Sequence, residues 1–172
     1  MHILHTLLFS FAFSSCFVSP TASQAQQYYG DWITREGSGA NECSALSFAL
    51  GGERIMFALM GTSQVPLPGY EDKGPQVFFI LRRGSPYPDA ENLTMRIDVD
   101  SAATFSFGAE ILGGAVHSTI SYEDEVIEDF MQYASAGSSL TVGPGNGFYP
   151  VAFSLRGSSR ALAAFDECMS NL

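Results

Sequence analysis

Apolar and polar residues alternate without a break over residues 92–100 (NLTMRIDVD). Leu93, Met95, Ile97 and Val99 interleave there with Asn92, Thr94, Arg96, Asp98 and Asp100. That period of two predicts a strand with one face in a core and the other in solvent. Residues 27–36 (QYYGDWITRE), rich in aromatic and β-branched types, predict an earlier strand that ends at Gly37-Ser38-Gly39. In 42–50, Cys43, Ala45 and Ala49 alternate with Ser44, Leu46, Phe48 and Leu50, and the larger second set is the expected core face. Gly51-Gly52-Glu53 predicts a hairpin turn into a strand over 54–60. Residues 61–75 contain three Pro and three Gly and predict a long exposed loop. The apolar run 76–83 (QVFFILRR) predicts a buried strand, and 84–91 (GSPYPDAE) a turn. Residues 102–107 and 115–122 predict two further strands.

The period then changes to that of a helix. Ser121-Tyr122-Glu123-Asp124 resembles a capping box, and Val126, Ile127, Phe130, Met131 and Ala134 share one helical face before Gly137. Strands are expected at 139–143 and 148–156, the latter at an edge or bulge because of Pro150. A last helix follows Gly157-Ser158-Ser159, with a serine as N-cap, and Ala161, Ala164, Phe165 and Cys168 on its inner face. The expected fold is mainly β with two helices near the C-terminus. It is a single-domain β-sandwich or partly open barrel of about eight strands.

Residues 1–25 contain no Asp, Glu, Lys or Arg, and 3–18 are almost wholly apolar or small. Pro20 and then Ser23-Gln24-Ala25 complete the pattern of a secretory signal peptide, leaving 26–172 as one exported β-rich domain. The apolar stretch falls short of the roughly 20 residues that span a bilayer, so no membrane insertion is expected after signal removal. Phe13-Ser14-Ser15-Cys16 loosely resembles a lipoprotein cleavage box, which gives lipidation of Cys16 as the alternative. The protein is expected in the periplasm or secreted.

Export changes the reading of the cysteines. Cys43 and Cys168 remain in the mature chain, and in an oxidising compartment two cysteines usually pair. Such a bridge closes nearly the whole fold into a loop, worth roughly 4–5 kcal/mol in the chain-entropy model. Two buried free thiols are the alternative. A metal site is not expected, since His117 is the sole mature histidine, and no cofactor is expected either.

The chain carries 18 acidic and 8 basic residues, a net charge of -10, all of it beyond residue 25. That balance repels nucleic acid and anionic lipid and attracts cations. Glu123, Asp124, Glu125, Glu128 and Asp129 form the densest acidic patch. The first of them favour a helix start, and the surplus suggests docking of a basic protein partner. Tyr70 and Tyr87 sit in Pro/Gly loops, where an aromatic either anchors a partner or packs locally. Trp32, Phe78, Phe79, Phe105 and Phe107 read as core. Tyr28 and Tyr29 should face opposite sides, leaving one exposed.

Catalytic signals are sparse. His117 lies beside Ser118 with no nucleophile-elbow pattern. Asp98 and Asp100 fall on one strand face, where two close carboxylates raise one pKa or bind Ca²⁺, unless the face is simply solvated. Asn92-Leu93-Thr94 matches a glycosylation acceptor.

Gly30-Asp31-Trp32, Cys43, the helix near Phe130 running into Gly137 and Leu140-Thr141-Val142, and Phe153-Ser154-Leu155-Arg156-Gly157-Ser158 leading into Arg160–Phe165 occur in an order that resembles the invasion-associated locus B family of exported bacterial proteins. The similarity lies in about the first ten mature residues and the last forty-five. It implies a small periplasmic or surface β-protein, linked in some pathogens to host-cell invasion, with no catalytic residues to carry over. The expected function is non-catalytic protein binding in the bacterial envelope or at a host. The alternatives are an inhibitor of a secreted hydrolase such as lysozyme, and a carboxylate-based hydrolase.

Overall fold

A computed structural model describes residues 26–36, 41–49, 55–63, 74–145 and 147–172. The signal segment, Cys16, the turn at 51–53 and Tyr70 lie outside the described residues. In chain order the strands are β1 (Gln26–Tyr29), β2 (Trp32–Glu36), β3 (Glu42–Phe48), β4 (Met56–Thr62), β5 (Gln76–Arg82), β6 (Ala90–Val99), β7 (Ala103–Leu112) and β8 (Ala115–Ser121). Helix α1 (Glu125–Ala136), β9 (Ser139–Gly143), β10 (Val151–Ser154) and helix α2 (Ser158–Met169) complete the fold. All strands pair antiparallel in one ten-stranded sheet of order β1-β2-β3-β4-β5-β8-β7-β6-β9-β10.

Among the described residues the count, ten, exceeds the expected eight partly because 27–36 is two strands. Gly30, at φ +61°, turns the chain there, and Tyr28 pairs with Ile33 across the hairpin. Conversely, 148–156 contributes only the four residues of β10.

The sheet curls until its ends meet, without a ladder closing it. The Asp31 amide donates to the Arg156 carbonyl at 2.9 Å, the Arg156 guanidinium pairs with the Asp31 carboxylate at 2.6 Å, and the Trp32 indole donates to the Ser154 carbonyl at 3.0 Å. Gly30 and Gly157 permit this approach. A Cβ on Gly30 would lie 2.5 Å from the Arg156 carbonyl oxygen, and one on Gly157 2.0 Å from that of Tyr29. The predicted order of elements and the mainly β, partly open architecture hold.

Inside the curl, Phe79 stacks on Phe107 at 4.8 Å and meets Phe130 of α1 edge-on at 5.0 Å. The alternation read in β6 is the observed one: Leu93, Met95, Ile97 and Val99 are buried. Phe78 faces the other way and is half-buried.

On β3 the core face is mainly the other one, although Leu46 is buried as expected. Cys43, Ala45 and Ser47 point inward and Phe48 is exposed. Helix α2 packs on β1, β2 and β3, and small side chains on β3 admit it at close range. Cys43 and Cys168 form the disulfide, their Cα atoms 5.9 Å apart, and so fasten α2 to the sheet.

Both helix starts differ in detail from expectation. Asp124, not Ser121, caps α1, accepting from the Val126 amide at 3.0 Å. Gly157, in the left-handed region, precedes α2. The buried Ser158 hydroxyl instead donates to the Ala134 carbonyl at 2.7 Å, joining the start of α2 to the end of α1.

Candidate functional site

Helices α1 and α2 lie side by side, and an open groove of about 630 Å³ runs between them. Its acidic lining is Glu123, Asp124, Glu125 and Glu128 from the start of α1, with Asp166 from α2. Met131 and Leu162 supply apolar floor, and among the described residues no Lys or Arg lines it. Four of the five acidic residues expected to form a docking surface therefore come together. Asp129, also exposed, lies outside the groove.

The acidic residues cluster because α1 begins there. Asp124 satisfies an orphan amide, and Glu125 and Glu128 sit in the first turn, where the helix dipole favours negative charge. Helix α2 contributes Asp166 by tertiary packing. Tyr122, just before α1, donates its hydroxyl to the Asp166 carboxylate at 2.5 Å and bridges one end of the groove. Burial, and then the neighbouring Asp166 carboxylate, push the Tyr122 phenol above its usual range, so it remains a neutral donor at physiological pH. The remaining exposed carboxylates present concentrated negative charge over an apolar floor. That combination suits a cationic, partly apolar polypeptide.

The other candidates have different places. Tyr87 is buried, at 4% exposure, so its role is local packing and not exposed anchoring. Its ring meets Phe148 edge-on at 5.1 Å and carries the Arg83 guanidinium at 4.1 Å, which folds the Pro/Gly turn inward. Tyr28 is exposed at 69% and Tyr29 half-buried.

Asp98 and Asp100 do not form a pair. Asp98 accepts from Arg96 at 2.9 Å and from Thr104 at 2.6 Å, and Arg96, then Thr104, hold its carboxyl below the usual range. Asp100 leaves the strand, at φ +47°, and accepts from the amides and hydroxyls of Ser138 and Ser139 at 2.6–2.9 Å. Led by the Ser138 amide, these bonds lower its pKa to about 2.

Neither carboxyl is raised, and both are held below the usual range. Asp100 contributes stability above its unfolded value of about 3.9, and that contribution disappears as pH falls through about 2. Wild-type Tm should therefore exceed that of Asp100→Asn at pH 5, and the difference should shrink by pH 2. A constant difference would show that ionisation of Asp100 is not what the serines stabilise.

His117 and Ser118 occupy opposite faces of β8. His117 is half-buried on the outer face, opposite Glu110 of β7, while Ser118 is buried on the inner face. Successive strand residues cannot meet as base and nucleophile. Among the described residues no group of three or more His, Cys, Asp or Glu side chains is placed to hold a metal ion. No described helix is long and apolar enough to cross a membrane. No protein-family model, curated protein or solved structure matches the chain.

Proposed function

We propose that this is a non-catalytic exported protein of the bacterial envelope or host interface, and that it holds a basic protein partner in the groove between α1 and α2. The observation that carries this reading is the convergence of five acidic side chains, from α1, the residues just before it and α2, over Met131 and Leu162. The disulfide is compatible with export, and the net charge of -10 favours encounter with a cationic partner. The resemblance to the invasion-associated locus B family agrees with an exported binding role. A basic secreted hydrolase such as lysozyme is one partner with the required charge, and capture of it would make the protein an inhibitor.

The test is retention of a partner from envelope extract and culture medium on immobilised 26–172, beside Glu125→Lys/Glu128→Lys. Asp124 is left intact because it caps α1. The expected result is a basic protein bound at about 50 mM salt and released near 500 mM, where charges are screened within about 5 Å. Its affinity for the double variant should fall about 10- to 100-fold, as reversal of two rim charges implies. Retention equal in both proteins and insensitive to salt would exclude the groove as the docking surface.

A further inference from the structure

Strands β7 and β8 part company after a short hairpin. They pair only at Leu112↔Ala115, Ile111↔Val116 and Glu110↔His117, although β7 continues back to Ala103 and β8 onward to Ser121. Beyond Glu110, β7 remains paired to β6 on its far side, and β8 to β5 on its own. The parting coincides with an irregularity in β6. Its register slips between Ala90↔Ile111 and Leu93↔Ala109, with Asn92 at φ +58°, so an extra β6 residue faces β7 just where the β7–β8 ladder stops. A bulge bends its strand and sharpens the local twist, and this one lies where β7 and β8 part.

The parting leaves two strand edges facing each other inside the sheet. Two cavities of about 390 and 550 Å³ follow the gap, and both are lined by Gly108, Ser118 and Thr119. A Cβ placed on Gly108 would meet no atom within 4 Å. Ser118 is 2% exposed, lines both cavities, and its hydroxyl has no hydrogen-bond partner. In an antiparallel sheet alternate residues direct both N–H and C=O to one side. Some peptide groups of 104–109 and 118–121 therefore face the gap without a strand opposite. Such edges are templates for another chain.

From this we propose that the gap between β7 and β8 is a binding site for an extended peptide segment of a partner protein, which enters as an added strand. Main-chain hydrogen bonds to 104–109 and 118–121 hold it, and the Ser118 hydroxyl supplies one further polar contact. Glu91 and Glu110 line one cavity and Asp124 the other, so flanking basic side chains suit the segment. Recognition through the peptide backbone tolerates varied sequences and selects extended shape. The site stands on residues other than those of the helix groove, apart from Asp124, which borders both.

The probes are capped hexapeptides of the form K-X-V-X-V-K, with X as Thr, Ser, Tyr or Phe, titrated into the full 26–172 protein. Saturable binding is expected, with slowed amide exchange in 104–109 and 118–121. N-methylation of alternate peptide nitrogens should weaken it at least tenfold. Gly108→Val, for whose Cβ there is room, should do the same by filling the gap. Glu125→Lys/Glu128→Lys should leave it unchanged, which separates this site from the groove. Absence of binding across the series at millimolar peptide would overturn the proposal. Binding indifferent to N-methylation, or protection confined to α1 and α2, would also overturn it.

Discussion

Replacing both Cys43 and Cys168 by alanine is expected to lower unfolding free energy by about 4–5 kcal/mol. The disulfide joins residues 125 apart in sequence, so without it the unfolded chain regains almost all of its loop freedom. The native state also loses its covalent fastening of α2. That helix lies on β1, β2 and β3, with Met169 so close over Gly61 that a Cβ there would strike its sulfur. Helix α2 forms one wall of the acidic groove, so weakening its anchorage weakens the site as well. Denaturation followed by fluorescence of Trp32, the only tryptophan and fully buried, measures the loss. Wild type treated with reductant should resemble the double variant. A change under about 1 kcal/mol would mean that the β3–α2 packing does not depend on the bridge.

Gly157→Ala is expected to be nearly as damaging. At φ +92° any Cβ is strained, and here it would lie 2.0 Å from the Tyr29 carbonyl oxygen, a backbone atom that cannot move aside cheaply. Relief requires the two ends of the sheet to separate. That separation endangers the hydrogen bond from the Asp31 amide to the Arg156 carbonyl, that from the Trp32 indole to the Ser154 carbonyl and the Asp31–Arg156 ion pair. About 1 kcal/mol for the backbone and about 1 kcal/mol for each of the two hydrogen bonds give a loss of roughly 3 kcal/mol. The ion pair itself adds little, because the Arg156 side chain is largely exposed. Thermal unfolding, with near-ultraviolet dichroism of Trp32 as the report on the seam, checks this. An unchanged Tm would show that the seam is not a stabilising contact.

Gly30-Asp31-Trp32 and Phe153–Ser158 are far apart in sequence and adjacent in the fold. Gly30 and Gly157 allow the close approach, while Asp31, Trp32 and Arg156 bond across it. These residues have structural work in joining the sheet ends.

Sequence patterning gave the buried face of β6, because alternation is a local consequence of one-sided burial, but not its first residues Ala90 and Glu91 nor the departure of Asp100 from the strand. It misplaced Phe48 of β3, which is exposed, because Leu46 and Phe48 outweigh Cys43, Ala45 and Ser47 in hydrophobicity. The deciding influence was the approach of α2, and a distant helix leaves only the smallness of those residues as a sign. Tyr87 was ambiguous for a similar reason: Pro and Gly mark a turn, but they do not show whether Phe148 and Arg83 fold over it. The acidic start of α1 was legible from composition. Asp166 was not, because its approach to Tyr122 depends on how the two helices pack. The parting of β7 and β8 left a faint trace in Asn92, read only as part of a modification motif, whose φ of +58° marks the bulge.

The groove is tested most directly by titrating isotopically labelled 26–172 with a Lys/Leu amphipathic peptide and recording amide shifts. The account predicts saturable shifts centred on 122–135 and 159–166, lost at high salt and in Glu125→Lys/Glu128→Lys. Shifts scattered over the outer sheet face, or identical in the variant, would contradict it.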